Sequence, residues 1–419
     1  MQQIKFFSKE DKERIIEFNK IVHDEGVVST VNNIMFNNPF HSLQNFVYLE
    51  EDGKILSMVG LLIHKQRFGE NEVEVGEIAL VGTHPDYRKK GLCSRLMNYW
   101  EDYMKDRRIP LSCLIGIPKF YQQFGYEYAV PAHFYPYVTI DKELLKNING
   151  CMLIEEVKVD EELLPEQEEI IDQIKAIYDK GSKDNFCSDL RSIEYFKYRI
   201  KATSFGPHHW YIVKNNEKVI GYFWVTQDDN GFMIREGNIL EEEAGKSFCG
   251  FIYEHTKDKE KIINIRVKSP LNNSFSRYLY KRGGRFNCIN EIYPGSWAGM
   301  YKIVDLKAAM EMLKDSFEER LKESRFYNYK GQYRIVTDIG EVVLLIDNSK
   351  VQICEEAENA INVNIPLNIL TSIFTGYRDI NYYKDELSFH SEEGLQLFKV
   401  LFPLGNPYFW DLEMSDELE

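Results

Sequence analysis

The chain has 419 residues, too many for one typical core, so two or three domains are expected. Hydrophobic residues at 44% and charged residues at 28% give an ordinary globular balance, and no run approaches the twenty apolar residues of a membrane span. The net charge of −15 argues against nucleic acid as a partner, because neutralising phosphates needs a basic face, and suits a cationic substrate.

The opening residues Met1 to Glu10 lack the apolar core of a secretion signal. Seven dispersed cysteines, odd in number and without a Cys-x-x-Cys, point to reduced thiols in the cytoplasm rather than to disulfides or a zinc site. Ser8 to Asp11 reads as a helix start, and Ile15 to Val22 continues an amphipathic helix. Phe46 to Leu49 reads as a strand, Glu51-Asp52-Gly53-Lys54 as a hairpin turn, and Ile55 to His64 as the next strand. The apolar run Ile78 to Val81 reads as a buried strand that stops at the turn His84-Pro85-Asp86. Arg88-Lys89-Lys90-Gly91 follows. Leu92, Leu96, Trp100 and Met104 then recur every four positions, which makes one face of a helix. The basic loop therefore opens a helix, whose first turn presents unpaired N–H groups and about half a positive charge. Gly91 has no side chain to block a ligand. Physically this is a phosphate cradle, yet it is neither a Walker loop nor a three-glycine dinucleotide fingerprint.

Strand, turn, loop and helix in this order resemble the pyrophosphate loop of the GNAT superfamily of acetyl-coenzyme A-dependent N-acetyltransferases. That loop is written Arg/Gln-x-x-Gly-x-Gly/Ala and reads here Arg88-x-x-Gly91-x-Cys93, with a small residue in the last place. A second stretch, Ile117-Pro118-Lys119-Phe120-Tyr121-Gln122-Gln123-Phe124-Gly125-Tyr126, is similar to the GNAT segment in which a short helix carries Phe-Tyr and ends in Phe-Gly-Tyr. Gly125 suits a helix C-cap with positive φ. The resemblance implies acetyl-CoA as cofactor, held at Arg88, Lys89, Lys90, Gly91, Leu92 and Cys93. It implies carbonyl donors among the backbone N–H groups of Leu80, Val81 and Thr83, and Tyr121 as the general acid beside the thioester sulfur. A phenol of pKa about 10 is a sensible donor to a thiolate. Outside the motif, one tyrosine among 26 carries little weight.

Val138-Thr139-Ile140 is expected to close this first domain at about residue 148. In the second segment, Glu166 to Asp179 has a helix pattern. Trp210 to Val213, the turn Asn215-Asn216 and Lys218 to Val225 make a hairpin that echoes the first. Ile262 to Val267 is read as the strand that would precede a phosphate loop, but Ser269-Pro270-Leu271 follows it. This segment is read as a degenerate copy that has lost the cofactor. A third unit is expected from Trp297: Met300 to Asp305, a helix over Leu306 to Leu313, strands at Tyr333 to Val336 and Val342 to Asp347, and a helix over Leu367 to Phe374. It looks like a sterol-carrier-protein-like domain.

The combination resembles the enhanced-intracellular-survival (Eis) type of acetyltransferase. The implied class is α+β: two GNAT-like α/β domains in tandem, the second degenerate, then a sterol-carrier-protein-like α/β domain, at 1–148, 149–296 and 297–419. The implied acceptor is a primary amine of a cationic small molecule or a lysine-like group. Neither nucleic acid nor membrane is implied as a partner, and a homo-oligomer, by resemblance a hexamer, is. A non-catalytic acyl-CoA or lipid carrier is the other class the same residues allow.

The base stays open between two positions. In the Eis type the chain's own terminal carboxylate enters the site, which points to Glu419 at the end of an acidic tail; such a tail also reads as frayed, solvated charge. Glu77 stands eleven residues before Arg88, the spacing of the glutamate base in the histone-acetyltransferase branch, and also reads as a strand-end surface carboxylate. His84 is a third option beside the loop. Phe36, Phe40, Trp100 and Phe124 could line an acceptor pocket, though core packing explains such aromatics equally well.

Overall fold

The computed structural model describes residues 3–117, 119–132, 137–159, 164–201, 208–227, 231–288, 298–387 and 389–408. The chain forms two compact units. One draws on Met1–Val130, Asn185–Leu190 and Tyr293–Glu419, the other on Pro131–Asp184 and Arg191–Ile292.

The first unit holds an eight-stranded mixed sheet. Its strands run in the order Lys5–Phe6, Phe46–Glu51, Lys54–Phe68, Asn71–Thr83, Leu111–Gly116, Ala298–Ile303 and Glu127–Ala132, with Phe186–Asp189 paired to Lys54–Phe68. Asp52 and Gly53 both have positive φ, +49° and +78°, the conformation of a two-residue hairpin turn that follows strand twist. Both faces of the sheet are covered, which is why its strands read as near-continuous apolar runs. Phe46, Tyr48, Met58 and Leu62 pack with Ile15, Phe18 and Val31 on one side. Val47, Val59, Leu61 and Ile78 pack with Leu92, Leu96, Trp100 and Met104 on the other, the helix stripe expected for Leu92–Asp106.

The C-terminal stretch of this unit adds a four-stranded sheet, ordered Lys350–Cys354, Gly340–Asp347, Lys330–Thr337 and Ile361–Asn364. Helices Leu306–Met312, Lys314–Lys322, Leu367–Phe374 and Glu392–Leu401 accompany it. The expected third unit does not stand apart. Leu344, Leu370, Phe374 and Phe398 share one core with Phe68, Val75, Leu111 and Tyr301 of the first sheet.

The second unit repeats the logic of the first. Its sheet runs Arg285–Asn287, Tyr137–Asp141, Asn264–Val267, Phe232–Ile239, Lys218–Gln227, His208–Asn215 and Leu153–Glu156. An aromatic stack of Phe223 on Phe248, 3.5 Å between centroids, anchors helix Glu242–Thr256 to it.

Three strand placements correct the sequence reading. Tyr137–Asp141 does not close the first domain: Ile140 pairs with Ile265, and Val138 with both Val267 and Phe286, in the second sheet. Ala298–Ile303, expected to open a third unit, pairs along Leu111–Gly116 in the first sheet. Each sheet thus receives the strand beside its parallel pair from the chain segment that comes after the other sheet, an exchange that a local apolar run cannot reveal. Finally, Asn264–Val267 is the parallel neighbour of Phe232–Ile239, so the latter is the counterpart of Asn71–Thr83. The turn that corresponds to the basic loop is therefore Leu240-Glu241-Glu242-Glu243, at a helix start, and not Ser269-Pro270. Three glutamates there suit the helix dipole and repel phosphate.

Candidate active site

The site begins with a defect in the first sheet. Along the Asn71–Thr83 strand, Gly82 pairs with Met58 and Ala79 with Gly60, so Leu80 and Val81 both face the single residue Val59. This is a β-bulge. Leu80 takes a φ of +47°, a conformation leucine rarely adopts, inside a side chain that is 1% exposed. The carbonyl of Val59, opposite the bulge, accepts a hydrogen bond from Trp100 Nε1 at 3.0 Å. Trp100, offered as a possible pocket aromatic, is therefore a core residue that pins the bulge.

The bulge coincides with a fork. Asn71–Thr83 runs parallel to Leu111–Gly116 only over three rungs, ending with Glu77 opposite Cys113. Ser112 Oγ locks the paired part, donating to Gly76 O at 2.6 Å and bonding Tyr126 Oη at 2.6 Å. Beyond Glu77 the strands diverge and a cavity of about 720 Å³ opens. Ile78, Leu80, Val81, Gly82 and Thr83 line one side of it, and Ile115, Ile117, Phe120, Tyr121 and Phe124 the other. Arg88, Lys89, Lys90, Gly91, Leu92 and Cys93 close its end.

The basic end has the backbone of an anion cradle. Lys89 and Gly91 have φ of +61° and +74°, and Gly91 is the N-cap of the fifteen-residue helix Leu92–Asp106. A Cβ placed on Gly91 would meet no heavy atom within 4 Å, so the loop is open there. The side chains are held rather than loose: Arg88 Nε donates to Thr83 O at 3.3 Å, and Lys90 Nζ lies 4.5 Å over the Tyr87 ring. Cys93 lines the cavity, and burial pushes its thiol up to about 11, so it is neutral at ordinary pH. A pyrophosphate with an apolar arm fits this arrangement: phosphate at the helix start, the arm between the splayed strands.

Tyr121 opens the short turn Tyr121–Phe124, which ends at Gly125 with φ +83° as expected. Its ring sits edge-on to Phe120 and Tyr126. A Cβ on Gly116 would come within 2.7 Å of Tyr121 Cδ2, so glycine there lets the ring lie against the strand. Burial, and then proximity to Cys93, raise the Tyr121 hydroxyl well above the ordinary tyrosine value. It therefore stays protonated at ordinary pH, the state from which a proton donor must start.

The candidate bases fall differently. Glu77 is not a surface carboxylate: it is 1% exposed, at the root of the fork, and faces His64. It does not line the cavity, although the next residue, Ile78, does. His84 caps the turn Pro85–Tyr87, its Nδ1 accepting from Asp86 N at 3.3 Å, and is a loop-shaping residue. Glu419 and the acidic tail lie outside the described residues. Among the proposed pocket aromatics Phe124 lines the cavity and Phe40 is exposed at 43%. Val22 and His23, at the end of helix Lys12–Val22, also line it. Nothing in their sequence context marks them, because only the folded helix brings them to the fork.

Known families and structures resemble parts of this chain in sequence and fold. Residues 3–129 match the acetyltransferase (GNAT) domain family. In fold, the chain is similar to a GCN5-related N-acetyltransferase from Anabaena variabilis, with a TM-score of 0.73 and 17% identity over 98% of this chain and 99% of that one. It is similar to a conserved protein of unknown function from Enterococcus faecalis, a probable N-acyltransferase, with a TM-score of 0.74 and 18% identity over 98% and 99%. Eis1 from Mycobacterium abscessus is a third neighbour, with a TM-score of 0.61 and 13% identity over 98% and 99%. No curated protein matches the chain. Residues 3–129 thus carry a GNAT acetyltransferase domain, which supports an acyltransferase enzyme, and the chain's mixed α/β fold is like that of these structures.

Proposed function

We propose that the protein is an acetyl-CoA-dependent N-acetyltransferase acting on a primary amine of a cationic small molecule or a lysine-like group. The observation that carries this is the joining of cradle and acid in one cavity: the Arg88–Gly91 loop at its end and the Tyr121 phenol on its wall. Acetyl-CoA supplies an activated acyl group as a thioester.

Arg88, Lys89, Lys90 and the N–H groups of Gly91, Leu92 and Cys93 hold its pyrophosphate. Ile78, Ile115 and Phe120 exclude water around the apolar arm. Backbone N–H groups among Leu80, Val81 and Thr83, which lie beyond the last rung shared with Leu111–Gly116, stabilise charge on the acyl oxygen. Tyr121 returns a proton to sulfur. Glu77, next to the lining residue Ile78, takes the proton of the attacking amine through one water; the carboxylate of Glu419 is the other position for that role. A positively charged acceptor suits a protein of net charge −15. On the same reading the protein works in the cytoplasm, possesses a sterol-carrier-like C-terminal part and assembles as a homo-oligomer.

Thiol release from acetyl-CoA over putrescine, spermidine and lysine methyl ester tests this. Amine-dependent release is expected, and Tyr121→Phe lowers turnover by about 10² to 10⁴ with cofactor affinity nearly unchanged. Binding of acetyl-CoA without turnover on any amine would return the protein to the carrier class. A C-terminal polyhistidine extension separates the bases: turnover survives it if Glu77 serves and collapses if the Glu419 carboxylate does.

A further inference from the structure

Three neighbouring strands of the first unit place a histidine between two carboxylates on one face of the sheet. His64 lies opposite Val75, so Glu77, two residues further along the Asn71–Thr83 strand, is its diagonal neighbour on the same face. On the other edge, the strand Phe46–Glu51 stops pairing at Gly60, and Phe186–Asp189 continues the sheet. Asp189 stands opposite Gln66 and so diagonal to His64. A bulge at Cys187, with φ +64°, sets that register and aims the aspartate.

The side chains meet. His64 Nδ1 is 3.0 Å from Asp189 Oδ1, and His64 Nε2 is 3.8 Å from Glu77 Oε2. Both carboxylates are buried, while the His64 side chain keeps 21% exposure and is the member that reaches the surface. Glu77 is the last rung before the fork. Burying two carboxylates and an imidazole costs desolvation energy that apolar residues in the same places would not, which marks the group as functional rather than merely structural.

We propose that Asp189, His64 and Glu77 form a relay that carries the acceptor's ammonium proton from the fork to solvent, with Asp189 as the positioning residue. This rests on the acetyl-transfer reading with Glu77 as base. Glu77, one residue from the cavity lining, takes one N–H proton from the ammonium through a bridging water and hands it to His64 Nε2, while the Asp189 carboxylate, 3.0 Å from Nδ1, positions the ring. The 3.8 Å gap closes by rotation of the Glu77 carboxylate or through one water. The proton leaves from His64 to water. The neutral nitrogen bonds to the acyl carbon, the carbon–sulfur bond breaks, and sulfur keeps its electron pair and takes the Tyr121 proton. The second ammonium proton, now on the new N–C nitrogen, restores Tyr121. One proton is released per acetyl group transferred.

Among the described residues, the titratable groups around the relay include His41, in the segment before Leu43, Cys113 beside Glu77, and Cys187 and Tyr301 beside Asp189. Burial holds both thiols and the Tyr301 phenol uncharged and His41 unprotonated, so none of them competes for the proton at neutral pH.

The test measures thiol release from acetyl-CoA with the most active amine of the three, from about pH 6 to about pH 10, where a free amine itself loses its proton. His64→Gln and Asp189→Asn are compared with wild type, with melting curves to verify folding. At neutral pH His64→Gln should lose about a hundredfold in kcat, with the KM for acetyl-CoA within about twofold. Asp189→Asn should lose less. Both deficits should shrink at the alkaline end, where the amine arrives neutral. Equal deficits at both ends, or none, would overturn the relay. Histidine NMR on the protein alone gives a reading independent of turnover: the His64 titration midpoint should fall in both Asp189→Asn and Glu77→Gln, since each removes a neighbouring carboxylate. An unmoved midpoint would also overturn it. A wild type silent with every amine would overturn the acetyl-transfer reading and the relay with it.

Discussion

At the scale of single residues, burial decides what the ionisable groups of the fork can do. Tyr121 keeps its proton because the cavity wall disfavours a phenolate. Cys93 stays a neutral thiol and fills the small position of the loop without adding charge. His41 is held down to about 4 by burial and by the charge of the nearby His64. The sign of its effect on stability can be worked out. The unfolded chain takes up a proton near the ordinary histidine value of about 6.5, while the folded chain refuses it until about 4. Stability is therefore unaffected at neutral pH and falls as pH drops through that window, by at most about 3 kcal/mol. Urea midpoints at the two ends of the window should show the loss, and His41→Gln should reduce it; an identical slope in the variant would show that other groups govern acid lability.

At the scale of elements, the bulge at Leu80 and Val81 and the helix Leu92–Asp106 form one device. The helix supplies the cradle at its first turn and, from Trp100, the donor that satisfies Val59 opposite the bulge. Trp100→Phe keeps the ring packing and leaves that buried carbonyl without its indole partner. A loss of roughly 1–3 kcal/mol is expected on denaturation, with a reduced kcat. Wild-type stability would show that the bulge needs no such pin. The loop, the helix stripe and the Phe120-Tyr121 turn were legible in the sequence because each is encoded locally, by a basic glycine turn, a four-residue period and a short motif. The role of Trp100 was not, because a helix-face tryptophan looks the same whether its indole meets a carbonyl or only apolar neighbours.

Long-range pairing hid more. Asp189 sits in sequence amid the second unit, yet its strand extends the first sheet beside His64. No periodicity in Phe186–Asp189 announces that partner. The exchanged strands Tyr137–Asp141 and Ala298–Ile303 were read correctly as strands and assigned to the wrong sheets for the same reason. Glu77 was marked by spacing, whereas its burial against His64 needed the neighbouring strand.

At the scale of the whole molecule, the two sheets repeat one plan with opposite charge at the critical turn. The first has Arg88-Lys89-Lys90-Gly91 at the start of its helix, the second Leu240-Glu241-Glu242-Glu243. The helix start that suits a pyrophosphate in one sheet is flanked by carboxylates, which repel it, in the other. A chain with two sheets of this plan and one basic turn should therefore bind one coenzyme A. Isothermal calorimetry of acetyl-CoA against wild type and Gly91→Glu measures this directly. One site per chain is predicted, with affinity falling by about a hundredfold or more when a carboxylate is placed on the open side of the loop. Two equivalent sites per chain, or unchanged affinity in Gly91→Glu, would contradict the account.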